Sequence, residues 1–281
     1  MKFAVVVSLF LAVVSADVHL GFPKDTGFVV NDGRVIRGVN AVEGASKYIV
    51  SISASPTKYS HNCGGSIIDK EWILTAAHCI KGAGKGVMVY AGIYDKSNYT
   101  EGQQRFTDYT IVHPKYPGKV GPNDIALMHV SEPFEFNDKV QPVLLPSREE
   151  IVEGAVHLYG WGQTKALLPN SPKVLQTMET DVILYEQCKE LLPETAPIHE
   201  VNVCSAPRDN KLSACNGDSG GPLVKETEGG VVQIVGVVSW GYIPCGNLGM
   251  PSIYTNVASY IEWIASAKAD YYRGVAFCAK F

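Results

Sequence analysis

The chain has 281 residues, enough to bury one large or two small hydrophobic cores. Its apolar fraction of 46% is typical of a globular protein. With 19% charged residues and a formal net charge of −4, the chain lacks the positive field that holds nucleic acid, so we expect no nucleic-acid partner.

The first predicted element is a secretion signal at residues 1–16. Lys2 precedes an apolar run at residues 3–14, and the small residues Ser15 and Ala16 end it. A buried N-terminal strand is the alternative, but the basic start and small-residue end disfavour it. The run is too short to cross a bilayer, and no other stretch approaches the ~20 apolar residues of a transmembrane helix. We therefore expect a secreted, extracellular protein without a membrane partner.

From residue 35 onward, short apolar or β-branched runs alternate with turn residues, which favours an all-β barrel or sandwich. The predicted strands are residues 48–53, 65–68, 72–75, 87–90, 125–130, 156–159, 180–184, 222–224, 231–239 and 252–255. One amphipathic helix is predicted over residues 257–268, with Asn256 as its cap. Its apolar residues recur at helical spacing: Val257, Tyr260, Ile261 and Ile264.

Three short segments carry residues suited to nucleophilic catalysis. Residues 75–79 read Thr-Ala-Ala-His-Cys, residues 123–127 read Asn-Asp-Ile-Ala-Leu, and residues 215–222 read Cys-Asn-Gly-Asp-Ser-Gly-Gly-Pro. A serine hydroxyl attacks well at neutral pH only when an imidazole takes its proton and a buried acid orients that imidazole. We therefore predict a catalytic triad of the three side chains His78, Asp124 and Ser219.

The order of the three residues separates two kinds of serine hydrolase. Residues 217–221 also fit the G-x-S-x-G pattern of α/β-hydrolases, in which the histidine follows the serine. Here the last histidine is His199, before Ser219, so that order is excluded. The order His, Asp, Ser, together with the motifs around it, resembles the chymotrypsin-like family of serine proteases over residues 34–268, and insect digestive chymotrypsins in particular.

The resemblance implies an all-β fold of two six-stranded antiparallel β-barrels with a C-terminal α-helix that packs on the second barrel. It also implies a division of the chain into a signal peptide (1–16), an activation peptide (17–34) and a protease domain (35–281). Within the protease domain, we expect the first barrel at about 35–143, the second at about 144–255, and the helix and tail at 256–281.

The resemblance implies activation by a trypsin-like protease that cleaves after Arg34. The new N-terminus, Val35, would fold inward so that its ammonium pairs with Asp218, because a buried ammonium is costly without an opposite charge. Arg37 stands where the family usually has glycine and is a second potential trypsin site.

The resemblance also assigns roles within the site. Ser219 would attack the scissile carbonyl, His78 would shuttle the proton, and Asp124 would stabilise the imidazolium. The backbone N–H groups of Gly217 and Ser219 would form the oxyanion hole.

By the same resemblance, the primary specificity pocket would have Ser213 at its base and Gly241 and Ser252 on its walls. A trypsin carries an aspartate at the base, so the neutral Ser213 predicts cleavage after large apolar residues such as Phe, Tyr or Leu. Ser252 replaces the usual glycine, which narrows or polarises the pocket and favours Leu, Met or smaller groups.

Seven cysteines in a secreted chain predict disulfides with one thiol left over. The resemblance implies the pairs Cys63 with Cys79, Cys188 with Cys204, and Cys215 with Cys245. Cys278 is left over in the tail, where we expect an exposed cysteine without a role; a free or intermolecular thiol is the alternative.

No metal or other cofactor is predicted. The sequence has no C-x-x-C or paired-histidine spacing. Where the family's calcium loop holds two glutamates, this chain has Ile93 and Gln104.

Two further features complete the site predictions. Asn98 begins the chain's single glycosylation sequon, Asn98-Tyr99-Thr100. The remaining histidines of the protease domain are interpreted as surface or packing residues: His61, His113, His129, His157 and His199.

The predicted function is a secreted serine endopeptidase zymogen for digestive proteolysis, cleaving after large apolar residues. Its expected partners are protein and peptide substrates, the activating protease and protein inhibitors, and we expect a monomer. Two alternatives stay open: a homologue with a glycan-binding (lectin-like) or cofactor role, and an immune cascade protease. The intact triad argues against the first, and the neutral pocket and absence of appended domains argue against the second.

Overall fold

The computed structural model describes residues 38–55, 57–81, 86–164, 170–206, 212–227, 229–246 and 250–278. The segments predicted as signal and activation peptides, together with Arg34, Val35 and Arg37, lie outside the described residues. No helix within the described ranges has the length and apolar character needed to span a membrane.

Six strands of the N-terminal half close into an antiparallel barrel. After the two-residue strand β1 (Val39–Asn40), the barrel strands are β2 (Ile49–Ser53), β3 (Cys63–Ile67), β4 (Trp72–Thr75), β5 (Met88–Ala91), β6 (Gln103–Val112) and β7 (Ala126–Val130). In space they follow the order β2-β3-β4-β7-β6-β5. Inward apolar side chains such as Val50, Ile73 and Met128 fill the barrel.

A second barrel follows in the C-terminal half. Its strands are β8 (Gly154–Gly160), β9 (Gln176–Ile183), β10 (Asn202–Ala206), β11 (Pro222–Glu226), β12 (Val232–Trp240) and β13 (Ser252–Asn256). Pairing of β8 with β9 closes these six strands into a barrel. Strand β1 pairs with the N-terminal end of β9. The prediction of two six-stranded antiparallel barrels with a C-terminal helix is confirmed.

Three strands were not predicted from the sequence: β1, β6 and β10. Strand β6 reads Gln-Gln-Arg-Phe-Thr-Asp-Tyr-Thr-Ile-Val, and most of its side chains are exposed or half-buried. The segment is nevertheless paired on both sides, with β5 and β7. Its polar composition did not predict a strand, because backbone pairing with two neighbours, and not the burial of its side chains, holds it in the sheet.

The C-terminal helix is longer than predicted and packs on more than one barrel. Asn256 Oδ1 accepts a hydrogen bond from Ala258 N (3.2 Å) and caps a 3₁₀ turn, Val257–Tyr260, which leads into the helix α3 (Ile261–Cys278). The helix shares one apolar cluster with Leu127 of the first barrel and Ile234 of the second. It therefore packs on the second barrel, as predicted, and on the first barrel as well.

The added turns of α3 are fastened to the first barrel by two tyrosines. Tyr272 Oη accepts from the indole N–H of the fully buried Trp72 (3.0 Å) and donates to Glu71 Oε2 (2.6 Å). Tyr271 Oη lies 3.1 Å from His129 Nδ1.

Within the described residues there are three disulfides, one of which ties the short helix α2 (Tyr185–Leu191) to β10. They join Cys63 with Cys79, Cys188 with Cys204, and Cys215 with Cys245, which are the pairs that the resemblance implies.

Candidate active site

His78 lies on a one-turn helix, α1 (Ala77–Ile80), directly after the buried strand β4. Its imidazole Nδ1 is 2.7 Å from Asp124 Oδ2, and its backbone N–H donates to Asp124 Oδ1 (2.9 Å). One carboxylate therefore fixes both the ring and the turn that carries it. A carboxylate can only accept, so Nδ1 carries the proton and Nε2 is left as a base.

Asp124 is buried, with 4% of its surface exposed, just before β7. Two hydroxyl groups of the second barrel bind it: Ser239 Oγ donates to its Oδ2 (2.6 Å), and Thr255 Oγ1 donates to its carbonyl oxygen (2.8 Å). The acid thus comes from the first barrel but is oriented by both.

Ser219 lies in the loop before β11 and is brought to the His78 turn by backbone contacts. Its carbonyl accepts from Gly64 N (2.8 Å). A Cβ at the next residue, Gly220, would lie 2.2 Å from Thr75 Oγ1 and 3.1 Å from Cys79 Sγ, so this loop touches the residue beside His78. Within the described ranges, no hydrogen bond joins Ser219 Oγ to His78. Such bonds are often long until substrate is bound.

The backbone around Gly217 is arranged to leave N–H groups available. Gly217 has φ +100°, a conformation that favours glycine. Among the described residues, neither Gly217 N nor Ser219 N has a hydrogen-bond acceptor, so both can donate to a reacting oxygen.

His61 fixes this loop by hydrogen bonds, whereas the sequence predicted only a surface or packing residue. Its Nε2 lies 2.8 Å from the Gly217 carbonyl, which can only accept, so Nε2 carries the proton. Its Nδ1 then accepts from Ser51 Oγ (2.8 Å). Burial lowers the pKa of His61 to about 4, and the Lys96 charge acts in the same direction. The ring is therefore neutral near pH 7.

Asp218 is completely buried behind the loop. Its carboxylate accepts from Gly162 N (2.8 Å) and Cys215 N (2.9 Å). Burial raises the pKa of this carboxyl to about 6, although the two N–H groups and the Lys96 charge oppose the rise. Its predicted partner, Val35, lies outside the described residues.

A cavity of about 170 Å³ opens beside Ser219. Its walls include Trp240, Gly241 and Tyr242, and an added Cβ at Gly241 would meet no atom within 4 Å. The wall at Gly241 is therefore open.

The other two residues predicted for the pocket, Ser213 and Ser252, do not line this cavity. Both are buried, and their hydroxyl oxygens are 3.2 Å apart. Ser252 Oγ accepts from Ala214 N (3.1 Å), and Ser213 Oγ donates to the Ala214 carbonyl (2.7 Å). The two hydroxyl groups therefore bond to each other and to the backbone of Ala214, which does line the cavity, and neither group is charged.

The described residues offer no convincing metal site. The one cluster of suitable side chains is Cys63, His78 and Cys79, and its two sulfurs are joined in a disulfide. Ile93, at a position where the family's calcium loop has glutamate, is buried in an apolar cluster with Trp161 and Leu175.

These features define a serine hydrolase of the two-barrel class. A buried acid holds the base, a serine and available N–H donors lie near it, and the site sits between two antiparallel barrels. Comparison with known proteins agrees: the family model described as Trypsin matches residues 35–264. The chain therefore belongs to the trypsin family of serine endopeptidases.

Relatives in this family extend over nearly the whole chain. The chain is 40% identical to Lectizyme of Glossina austeni over 281 residues, covering 96% of this chain and 98% of the relative. It is 33% identical to anionic trypsin of Bos taurus over 258 residues (91% and 95%). It is 31% identical to trypsin II-P29 of Gallus gallus over 264 residues (94% and 99%).

Proposed function

We propose that the protein is a secreted serine endopeptidase precursor that is activated after Arg34 and digests proteins by cleaving after apolar residues. In the first step, Ser219 Oγ attacks the scissile carbonyl carbon while His78 Nε2 takes its proton. Asp124 stabilises the imidazolium, and His78 then protonates the leaving amine. Water repeats the sequence to release the acyl group from Ser219.

The observation that carries this mechanism is the paired contact of Asp124 with both the ring and the backbone of His78. The N–H groups of Gly217 and Ser219 are proposed to bind the oxyanion. Loss of one such donor typically lowers turnover by roughly 10²–10³.

The uncharged Ser213 and Ser252, which hold the cavity-lining Ala214 by hydrogen bonds, support an apolar primary specificity. A substrate Lys or Arg would lose its hydration in the cavity without gaining a carboxylate partner from these residues. Because the cavity measures only about 170 Å³, we propose that Leu and Met side chains fit best and that Phe is accepted less well.

Activation by cleavage is supported by the state of Asp218. A buried carboxylate with two N–H partners remains costly without a cation, and its raised pKa reflects that cost. The Val35 ammonium would supply the cation, and Arg37 offers a second cut that would remove Val35. We propose the segments 1–16, 17–34 and 35–281 as signal peptide, activation peptide and protease domain. The exposed Asn98 is a proposed glycosylation site.

A second candidate, a glycan-binding activity alongside proteolysis, is favoured by one observation. The relative named Lectizyme shares 40% identity over nearly the whole chain, and its name couples lectin with enzyme.

The function is tested with recombinant precursor treated with immobilised trypsin and then offered peptide p-nitroanilides ending in Leu, Phe, Ala or Arg. We expect Leu and Phe substrates to be cleaved at least about 100-fold faster than Arg, because the uncharged Ser213 and Ser252 offer no carboxylate to a basic side chain. Ser219→Ala should lower turnover at least about 10³-fold while leaving any sugar binding unchanged. Faster cleavage after Arg would refute the assigned specificity, and full turnover by Ser219→Ala would refute the mechanism.

The activation step is tested with Arg34→Gln, which removes the proposed cleavage site. We expect this variant to stay at precursor activity after trypsin treatment, whereas the control Arg37→Gln should still be activated. N-terminal sequencing of the control should begin at Val35. An Arg34→Gln protein that trypsin activates fully would show that the processing site is elsewhere.

A further inference from the structure

A loop of the first barrel clasps the second barrel close to Asp218. The loop contains the 3₁₀ turn Lys96–Glu101 between β5 and β6. Lys96 N donates to the Lys173 carbonyl (2.8 Å), and the Tyr94 carbonyl accepts from Leu175 N (2.9 Å) and from Trp161 Nε1 (3.2 Å). The loop is therefore fixed to the segments on both sides of Gly162.

The half-buried side chain of Lys96 also contacts the second barrel. Its Nζ donates to Ser171 Oγ (2.5 Å), and Ser171 Oγ donates to the Trp161 carbonyl (2.8 Å). The residue after Trp161 is Gly162, whose N–H binds Asp218. A chain of two hydrogen bonds thus links the ammonium to the Trp161–Gly162 peptide, whose N–H binds the Asp218 carboxylate.

The electrostatic pattern fits this placement. Burial lowers the pKa of Lys96 to about 8, while the Asp218 and Asp95 charges act to raise it. In return, the Lys96 charge lowers the pKa of Asp218 against the effect of burial. Among the described residues, the titratable groups coupled to this ammonium by charge are the carboxylates of Asp218 and Asp95 and the imidazole of His61.

We propose that Lys96 is a positioning residue that supplies a resident positive charge to Asp218 and holds the Gly217–Ser219 oxyanion backbone in order before cleavage. The uncleaved chain would therefore keep part of the active-site geometry, and cleavage would add a second, closer cation. This inference rests on the proposed activation after Arg34 and deepens it by naming a residue that sets the activity of the precursor.

The test measures covalent labelling of Ser219 by a fluorescent phosphonate in the uncleavable Arg34→Gln precursor. Replacing Lys96 with Met should slow labelling about tenfold, because the loss of a charge interaction worth one pKa unit changes an equilibrium about tenfold. Lys96→Arg should restore at least half of the rate. Lys173→Met, a matched control with an exposed side chain on the same clasp, should label at the parent rate.

A pH series separates charge from structure. Between pH 7 and pH 9.5, the labelling rate of the Arg34→Gln precursor relative to its Lys96→Arg version should fall as Lys96 loses its proton, since arginine keeps its charge. Cleaved enzyme with Lys96→Met should lose less than about threefold in kcat/KM, because Val35 then supplies the charge. Its recovery as active enzyme also shows that the variant folds.

Equal labelling of the Lys96→Met and parent precursors would overturn the proposal, as would failure of Lys96→Arg to restore the rate. A flat pH ratio would also overturn it. An error in the activation site would appear differently: Arg34→Gln would be activated by trypsin whichever residue stands at position 96.

Discussion

Two glycines set the shape of the space that holds Asp218. A Cβ at Gly160 would lie 2.0 Å from Asp218 Oδ1, and a Cβ at Gly162 would lie 2.3 Å from its carboxyl carbon. Real side chains do not approach this closely, and Asp218 is too buried to move aside. The carboxylate is therefore enclosed by main chain, and its position depends on residues that have no side chain.

We predict that Gly162→Ala displaces Asp218 and disorders the oxyanion backbone. Turnover of the trypsin-treated enzyme should fall at least about 100-fold, the order expected when one oxyanion donor is lost. Gly274→Ala is the control, because a Cβ at Gly274 on α3 meets nothing within 4 Å. Unchanged kcat/KM in Gly162→Ala would contradict this description of the site.

The residues of the site differ in how far the sequence reveals them. His78, Asp124 and Ser219 lie in short contiguous motifs, so their segments were predictable from sequence. His61 and Gly162 have no such motif: His61 contacts Gly217 across 156 positions, and Gly162 contacts Asp218 across 56. Their importance comes from tertiary contacts that no local pattern records. Lys96 was hidden in the same way.

Among the elements, α3 shows how a terminal helix gains length from tertiary contacts. The predicted helix ended at residue 268, although the apolar spacing of Ile264 and Ala267 continues at Tyr271 and Val275. The turns after 268 are held by hydrogen bonds to the first barrel, chiefly the one between Tyr272 and Trp72. A helix that lacked these partners would fray at its end.

We predict that Tyr272→Phe destabilises the protein by about 1–3 kcal/mol, because the buried indole N–H of Trp72 loses its acceptor. Peptidase activity should not change. Tyr109→Phe is the control, since Tyr109 is 50% exposed and contacts Tyr271 through its ring. The free energy of unfolding is measured by urea titration. Equal midpoints for Tyr272→Phe and the parent protein would contradict the prediction.

For the whole molecule, two buried groups make stability depend on pH in opposite directions. The pKa of His61 is lowered to about 4, so its contribution is complete above pH 6.5 and is lost as the pH falls towards 4. The pKa of Asp218 is raised to about 6, so the folded precursor binds this proton more tightly and loses stability as the pH rises through 6. The two effects partly offset each other between pH 4 and 6.

We predict that His61→Gln removes the loss of stability that His61 causes at acid pH, while keeping an N–H donor for the Gly217 carbonyl. Between pH 7 and pH 4, the parent precursor should lose up to about 3 kcal/mol more unfolding free energy than the variant. Urea titrations at both pH values measure the difference. Parallel losses in the two proteins would mean that His61 does not titrate in this range.

Asp124 belongs to one barrel by chain position and to both by its hydrogen bonds, since Ser239 and Thr255 reach it from the other side. Neither half of the polypeptide on its own could present a correctly oriented acid. The protein is therefore suited to fragment complementation. Two separately expressed fragments, each inactive alone, should regain hydrolytic activity when they associate.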